Sequence, residues 1–330
     1  LEQAGASCGS LSVALAHQSR PSDNDLGDTR LLVLINRASG AASRDLDDVE
    51  ARIGHALAAV GRDADIRLVE PARLAAAVRG ARDSYAAIVV AGGDGSVSTA
   101  AGVLAGTGTA LGVIPLGTFN HFARDLGVPA ELEPAVAALA TGTIARVDVG
   151  EANGRIFINN SSVGLYTAIV EDRDRQRREL GRRKWLALVI ATLRGVRHYR
   201  QQRLTISSGG RTWRGRTSLL FIGNNSYQLE FPYMGARPRL DGGELCLFAI
   251  FGHGWRLVRL ALLILTRAVD TGREFEHVDG LRELTVTSAA PTLTVAFDGE
   301  VERLQTPLHY RVWPLDLLVI RPAQRRELSA

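Results

Sequence analysis

The 330-residue chain reads as an α/β domain with a parallel sheet and crossover helices, followed by an antiparallel β-sandwich with helical insertions. Three observations predict this. From residue 30 to about 146, strand-like and helix-like segments alternate, the pattern of parallel strands joined by crossover helices. After "IARVDVG" the pattern turns to β-like runs separated by turn residues, as in an antiparallel sandwich. The length, with 46% hydrophobic residues, is enough to bury a full core and suggests two domains.

Each element follows in turn. "RLLVLI" is a buried strand, and "DLDDVEARIGHALAAV" a helix whose early acids suit the positive end of its dipole. "ADIRLV" is the second strand, and "PARLAAAVRGA" a helix that opens on proline, where a missing N–H is tolerated. "YAAIVVA" is the third strand, followed by a glycine turn and a small-residue helix over 97–105. "ALGVIP" is the fourth, with helices near 119–126 and 131–141. Beyond these, "RIFINNSS", "RLTISS", "RTWRGRTSLLFIG", "GELCLFAIF", "ELTVTS", "TLTVAF" and "HYRVW" are the strands of the sandwich. The boundary falls near residue 147, which gives domains over 30–147 and 148–322. Helical insertions at 180–199 and 255–270 interrupt the second. Residues 1–29 read as a linker or tail, and 323–330 as another tail.

Composition narrows the chemistry. The formal net charge of +4 suits an anionic ligand or surface. Lys184, in "RRKW", is the only lysine, so neither a Walker P-loop nor a protein-kinase lysine is available. Any phosphate must then be held by backbone N–H groups, arginines and metal. Cys8 and Cys246 lie far apart, which argues for a reducing compartment over a disulfide framework. The histidines lack zinc-ligand spacing. No apolar run reaches spanning length and "SLSVALA" lacks a basic lead, so a cytoplasmic protein is expected. Nucleic acid is not an expected partner.

Three strand exits carry polar residues. "GGDGS", 92–96, follows a strand and opens a helix, where backbone N–H groups and the helix dipole favour an anion. A tight βα turn accounts for the glycines equally well, but not for Asp94, a carboxylate that makes sense with a metal or a proton to move. Ser96 is placed to cap the helix and to face a phosphate. "NRASG", 36–40, ends the first strand in the same manner, and in a parallel sheet ligands bind beyond the carboxyl ends of strands. "IPLGTFNHFARDLG", 114–127, adds Thr118 and Asn120 as hydrogen-bond donors. Any one of these exits is an ordinary turn; three on one sheet edge make a nucleotide cleft.

"AFDGEVERL", 296–304, is first of all a hairpin, because Asp-Gly between alternating strands is a preferred two-residue turn. A functional role requires Asp298 or Glu300 to reach the cleft. "RRKWLALVIATLRGVRHYR" and "WRLVRLALLILTRAV" pair apolar faces with basic flanks, which suits either an anionic lipid surface or, more plainly, solvated charge and a buried helix.

Together these motifs resemble the bacterial lipid kinases with a diacylglycerol kinase catalytic domain, relatives of sphingosine and ceramide kinases. The resemblance spans roughly residues 30–322 and rests on the order of "NRASG", "GGDGS", "PLGTFNHFARDLG", "INNSSVGLY", "RLDGGELCLF", "FDGE" and "VWPLDLLVIRP". It implies ATP and Mg2+ as cofactors, with ATP and a lipid bound between the two domains. It implies an ATP site lined by Asn36, Arg37, Ala38, Ser39 and Gly40, by Gly92, Gly93, Asp94, Gly95, Ser96, Val97 and Ser98, and by Gly117, Thr118 and Asn120. Catalysis falls to Glu300 or Asp298 as proton acceptor, with Asp94 acting through magnesium or ordered water. Asp241 is the implied ligand of a structural magnesium, although Gly242 stands where many members carry a second acid. Arg37, Ser96 and His121 also depart from the usual Pro, Thr and Asp. The implied partners are a membrane lipid substrate and, peripherally, an anionic membrane; a homodimer is left open.

Two other classes share some of these features. A soluble-substrate kinase of the NAD kinase or phosphofructokinase type shares the glycine motif, but leaves "FDGE" and the basic insertions without a role. A catalytically inactive nucleotide- or lipid-binding regulator would not need Asp94, Asp298 and Glu300. Lipid-dependent ATP consumption separates all three.

Overall fold

A computed structural model describes residues 30–39, 46–164, 201–228, 235–252 and 276–323. Gly40, both expected helical insertions, residues 1–29 and the last seven residues lie outside the described residues.

Strands β1 (Leu31–Asn36), β2 (Ala64–Val69), β3 (Ala87–Gly92) and β4 (Ala110–Pro115) are parallel in the order β2-β1-β3-β4. Between them run helices α1 (Leu46–Ala59), α2 (Pro71–Ala81) and α3 (Asp94–Leu104), with α4 (His121–Asp125) and α5 (Leu132–Ala140) after β4. Alternation along β1 decides what each helix covers. Leu31, Val33 and Ile35 face a layer that includes Val49, Ile53 and Leu57 of α1 and Val136 and Leu139 of α5. Leu32 and Leu34 face the opposite layer, with Leu74 and Val78 of α2 and Val97, Ala101 and Leu104 of α3. The apolar spacing along α1 and α2 is that of one helical face, so the continuous apolar strands are those of a doubly covered parallel sheet. The chain leaves β1 toward β2 on one side and returns to β3 on the other, so the carboxyl ends of β1 and β3 flank a topological switch point, where open α/β sheets bind ligands.

The second region is antiparallel, as expected. It comprises β5 (Thr143–Ala152), β6 (Arg155–Phe157), β7 (Asn160–Gly164), β8 (Gln202–Ser208), β9 (Arg211–Asn224), β10 (Leu245–Phe251), β11 (Glu276–Leu281), β12 (Glu283–Ser288), β13 (Thr292–Phe297), β14 (Glu300–Gln305) and β15 (Leu308–Arg321). Its own core includes Phe157, Ile206, Leu220, Ile222, Val286, Phe297 and Tyr310. Phe157 packs against Phe297 and Tyr310 with centroids 6.0 and 6.3 Å apart.

No gap in the sheet marks residue 147. β5 runs across that position, and β15 pairs β12 at its start, β5 along its length, and β4 in parallel through Val319 and Leu111. One sheet therefore joins the two regions. The expected strand "HYRVW" stops short of Pro314, since proline removes a ladder donor. The structure continues it as one strand through a register break between Trp313 and Leu317, with Leu315 at φ 55°.

A buried ion pair fixes the first region against the second. Arg237 Nε donates to Asp125 Oδ2 of α4 at 2.8 Å, with side chains 0% and 4% exposed. Its other nitrogens reach the carbonyl oxygens of Ile158 and Asn224 and the Oδ1 of Asn159, and Phe122 and Tyr227 lie 5.9 and 5.7 Å from the guanidinium. Removing one member of such a pair leaves a buried charge uncompensated, so Asp125→Asn is expected to lower unfolding free energy by about 3 kcal/mol. Urea denaturation measures it; a midpoint unchanged from wild type would contradict the assignment.

Candidate active site

The three polar strand exits meet at one edge of the sheet. Asn36, the last residue of β1, donates from Nδ2 to Ser96 Oγ at 2.7 Å, and its Oδ1 accepts from Ala38 N at 3.0 Å. The exits of β1 and β3 are thereby tied to each other. Ser96 does not cap α3, because Gly93 is the N-cap and Ser96 stands a turn inside, buried beneath the β1 exit. Gly93 and Gly117 bring the β3 and β4 exits into backbone contact: a Cβ on Gly117 would stand 2.6 Å from the Gly93 Cα. Only glycine admits that approach.

α3 begins with Asp94, and Val97 N donates to Gly93 O, the N-cap residue. The amides of Asp94, Gly95 and Ser96 precede that bond, as donors left over at a helix start. The half-buried Asp94 carboxylate forms no hydrogen bond or ion pair with the described residues. Among the described residues the buried Ser39 Oγ has no hydrogen-bond partner, and it would lie 3.5 Å from a Cβ on Gly92. Ser39 at the exit of β1 and Asp94 at the start of α3 thus belong to the two neighbouring exits that Asn36 and Ser96 tie together.

Other expected residues serve the frame. Val97 is in the core against β1 and β3. Asn120, at φ 48°, donates to Gly117 O and accepts from Gly117 N, both at 3.0 Å, so its amide shapes the β4 exit. Thr118 is exposed on that loop. Arg37 is exposed and 3.7 Å from Glu70. Asp241 is exposed and ion-paired with Arg239 at 3.2 Å.

The hairpin expected at "FDGE" is present and reaches the same place. Asp298 and Gly299 have φ of 49° and 89°, and Phe297 pairs Glu300 across the turn, the geometry of a type I′ loop. The Asp298 carboxylate is buried and saturated. Oδ1 accepts from Asn159 N at 2.8 Å and Asn160 N at 3.0 Å; Oδ2 accepts from Ile158 N at 2.9 Å and Ser98 Oγ at 2.6 Å. Burial pushes its pKa above the ordinary carboxylate value, against these four donors. Ser98, an expected nucleotide ligand, is instead the α3 end of this clasp.

Glu300 lies differently. Its Oε1 would be 3.1 Å from a Cβ on Gly95, in the first turn of α3. Its Oε2 accepts from Arg155 Nη2 at 2.8 Å. Its side chain is 43% exposed. Partial burial raises its pKa, opposed by the Arg155 guanidinium and reinforced by Asp298 and Glu302. Sequence reasoning gave no role to Arg155, Asp125, Arg237 or the amides of 158–160, although "PLGTFNHFARDLG" contains Asp125 and "INNSS" contains the amides.

The donor sets can be compared with an implied Mg2+. Among the described residues no group of three or more His, Cys, Asp or Glu side chains is placed to hold a metal. At Asp241 the lone carboxylate is engaged by Arg239 and followed by Gly242, so the donors do not fit a structural magnesium. Asp94 does fit an ion that takes one carboxylate together with nucleotide phosphates and water. Elsewhere, an open depression of about 650 Å³ lies between the β8–β9 turn, β12 and β15, lined by residues such as Ser207, Arg211, Glu283 and Arg311, and contains none of the residues gathered at α3.

Residues 30–152 match the family model of the diacylglycerol kinase catalytic domain. A YegS-like lipid kinase of Pseudomonas aeruginosa strain PAO1 is 34% identical over 213 residues, 63% of this chain and 65% of that protein. A diacylglycerol kinase of Staphylococcus saprophyticus is 24% identical over 227 residues, 68% of this chain and 73% of that protein. In fold, the chain resembles a crystal structure of a Bacillus anthracis str. Sterne protein described as a diacylglycerol kinase, with TM-score 0.70, 24% identity, and coverage of 89% of this chain and 97% of that one. Residues 30–152 thus carry a diacylglycerol kinase catalytic domain. Beyond that domain the chain is similar to bacterial proteins named as lipid kinases, and it spans about 65% of the length of the first of them.

Proposed function

We propose that the protein transfers the γ-phosphoryl group of ATP to a hydroxyl of a membrane lipid. One observation carries this: Glu300, on a hairpin of the antiparallel region, stands against Gly95 in the first turn of α3. A proton acceptor is thus set beside an anion-binding surface, and phosphoryl transfer to an alcohol needs both. The α3 amides, Ser39 Oγ and the close-set exits at Gly93 and Gly117 suit nucleotide phosphates. When bound, ATP with magnesium supplies the phosphoryl group with part of its charge neutralised. Asp94 is the residue to hold that ion. Glu300 takes the proton of the lipid hydroxyl, and its raised pKa makes it a better acceptor than an ordinary glutamate. Asp298, with every lone pair engaged, holds the turn that presents Glu300. The names of the relatives, a lipid kinase and a diacylglycerol kinase, support a lipid as acceptor. Such a substrate places the protein at a membrane surface; among the described residues no helix is long and apolar enough to cross one.

Diacylglycerol, phosphatidylglycerol, a sphingoid base and ceramide all offer a primary hydroxyl at an interface. Incubating each in vesicles with γ-labelled ATP is expected to label at least one. Label in a soluble acceptor alone would return the chain to the NAD kinase or phosphofructokinase type.

A further inference from the structure

The two carboxylate oxygens of Glu300 have different surroundings. Oε2 is held by Arg155, on β6, while Oε1 faces the start of α3. Arg155 is itself shared: its Nε lies 3.0 Å from Glu302 Oε1. That contact is an ion pair without an aligned hydrogen bond, since among the described residues the same Nε has no hydrogen-bond partner. The guanidinium therefore gives its directional bond to Glu300, and Glu302 contributes charge. β6 packs against α3, with Ile156 Cβ 3.9 Å from the Cβ position of Gly102. Arg155 thus reaches the hairpin from a strand seated on the helix that opens at the glycine turn. Neither Arg155 nor Glu302 belongs to the nucleotide loops, to the turn, or to the ion-holding carboxylate.

We propose that Arg155 is a positioning residue: by pinning Oε2 of Glu300 it leaves Oε1 as the oxygen that takes the substrate proton, and Glu302 tempers the cation so that Glu300 stays basic. This rests on the reading of Glu300 as the proton acceptor. The charged groups that face Glu300 are Arg155 from β6, Glu302 from β14 and Asp298 from the turn, with Asp94 one residue from its neighbour Gly95. An arginine so placed favours the ionised carboxylate, and an acid so placed disfavours it. Arg155 alone would make Glu300 a weak base; Glu302 opposes that without displacing the hydrogen bond.

Opposite displacements follow for two neighbouring variants. In the full chain, with glutamate carbons labelled, carbon NMR titration of Glu300 should move to higher pH in Arg155→Met and to lower pH in Glu302→Gln. In the lipid kinase assay, the acid limb of the rate profile should move in the same two directions. Turnover of Arg155→Met should fall by about 10²-fold through misplacement of the acceptor, with the KM for ATP near wild type. Arg155→Lys keeps the charge but not the planar donor, so its titration should stay near wild type while turnover falls. An unmoved Glu300 titration in Arg155→Met overturns the proposal, whatever happens to activity. So does equal turnover in Arg155→Met and wild type. Full activity of Glu300→Gln would instead overturn the reading of Glu300 as base, and the titrations would still report whether Arg155 and Glu302 set its charge.

Discussion

Glu300→Gln should lower turnover by about 10²-fold or more, with ATP affinity and melting temperature close to wild type. Glutamine keeps the shape of the side chain and an oxygen that accepts from Arg155 Nη2. What it loses is the capacity to take a proton. The side chain stands at the start of β14, on the rim of the turn, so no core contact is removed. The amides at the start of α3 are untouched. The sign of the pH dependence follows from the same surroundings. Partial burial raises the pKa of Glu300, so its ionised fraction, and with it kcat/KM, falls as pH drops through a value above the ordinary glutamate range. Steady-state kinetics over an acidic pH series measure both effects. Undiminished turnover in Glu300→Gln would return the "FDGE" turn to a purely structural role.

Asp298→Ala should unfold the protein far more readily, and in this the neighbouring acids of one turn differ. Alanine leaves the amides of Ile158, Asn159 and Asn160 without their acceptor and frees Ser98. Each buried donor so stranded costs about 1–3 kcal/mol, so the sum is several kcal/mol in a protein with little to spare. Asp298→Asn is milder but not silent. Its amide nitrogen must face at least one of the three N–H donors, since both oxygens of the aspartate accept from backbone. A turn considered alone tolerates this change, because asparagine adopts positive φ as readily as aspartate. Denaturant midpoints therefore separate the clasp from a mere hairpin: a clasp requires Ala to lie well below Asn and Asn below wild type. Identical midpoints for all three would remove the clasp.

The contrast shows what the sequence could and could not disclose. Local signals were legible: the apolar strands, the proline that opens α2, the glycine exits and the Asp-Gly hairpin all formed where their residue types require. The continuous apolar β1 disclosed a doubly covered strand because each alternate residue has a layer to face. Less legible were partnerships across long separations. Nothing in "DGSVS" singles out Ser98 as the partner of an aspartate 200 positions later, and nothing in "GARPRL" marks Arg237 as the mate of Asp125. Such pairs depend on the packing of one region on the other, which no local period encodes. The same limit hid Arg155, which reads as an ordinary surface residue in "NGRIF". β15 was hidden for another reason, because its proline broke a strand that tertiary pairing on both sides restores.

The central claim is that the sites on α3 and on the β13–β14 hairpin act together on a lipid. The most direct measurement is the rate of ATP consumption by the full chain with no acceptor, with soluble alcohol acceptors, and with vesicles containing a lipid hydroxyl. A rate that rises steeply only with lipid vesicles, and that Glu300→Gln abolishes, is the predicted result. ATP consumption equal with and without lipid, or stimulated by a soluble acceptor alone, would contradict it.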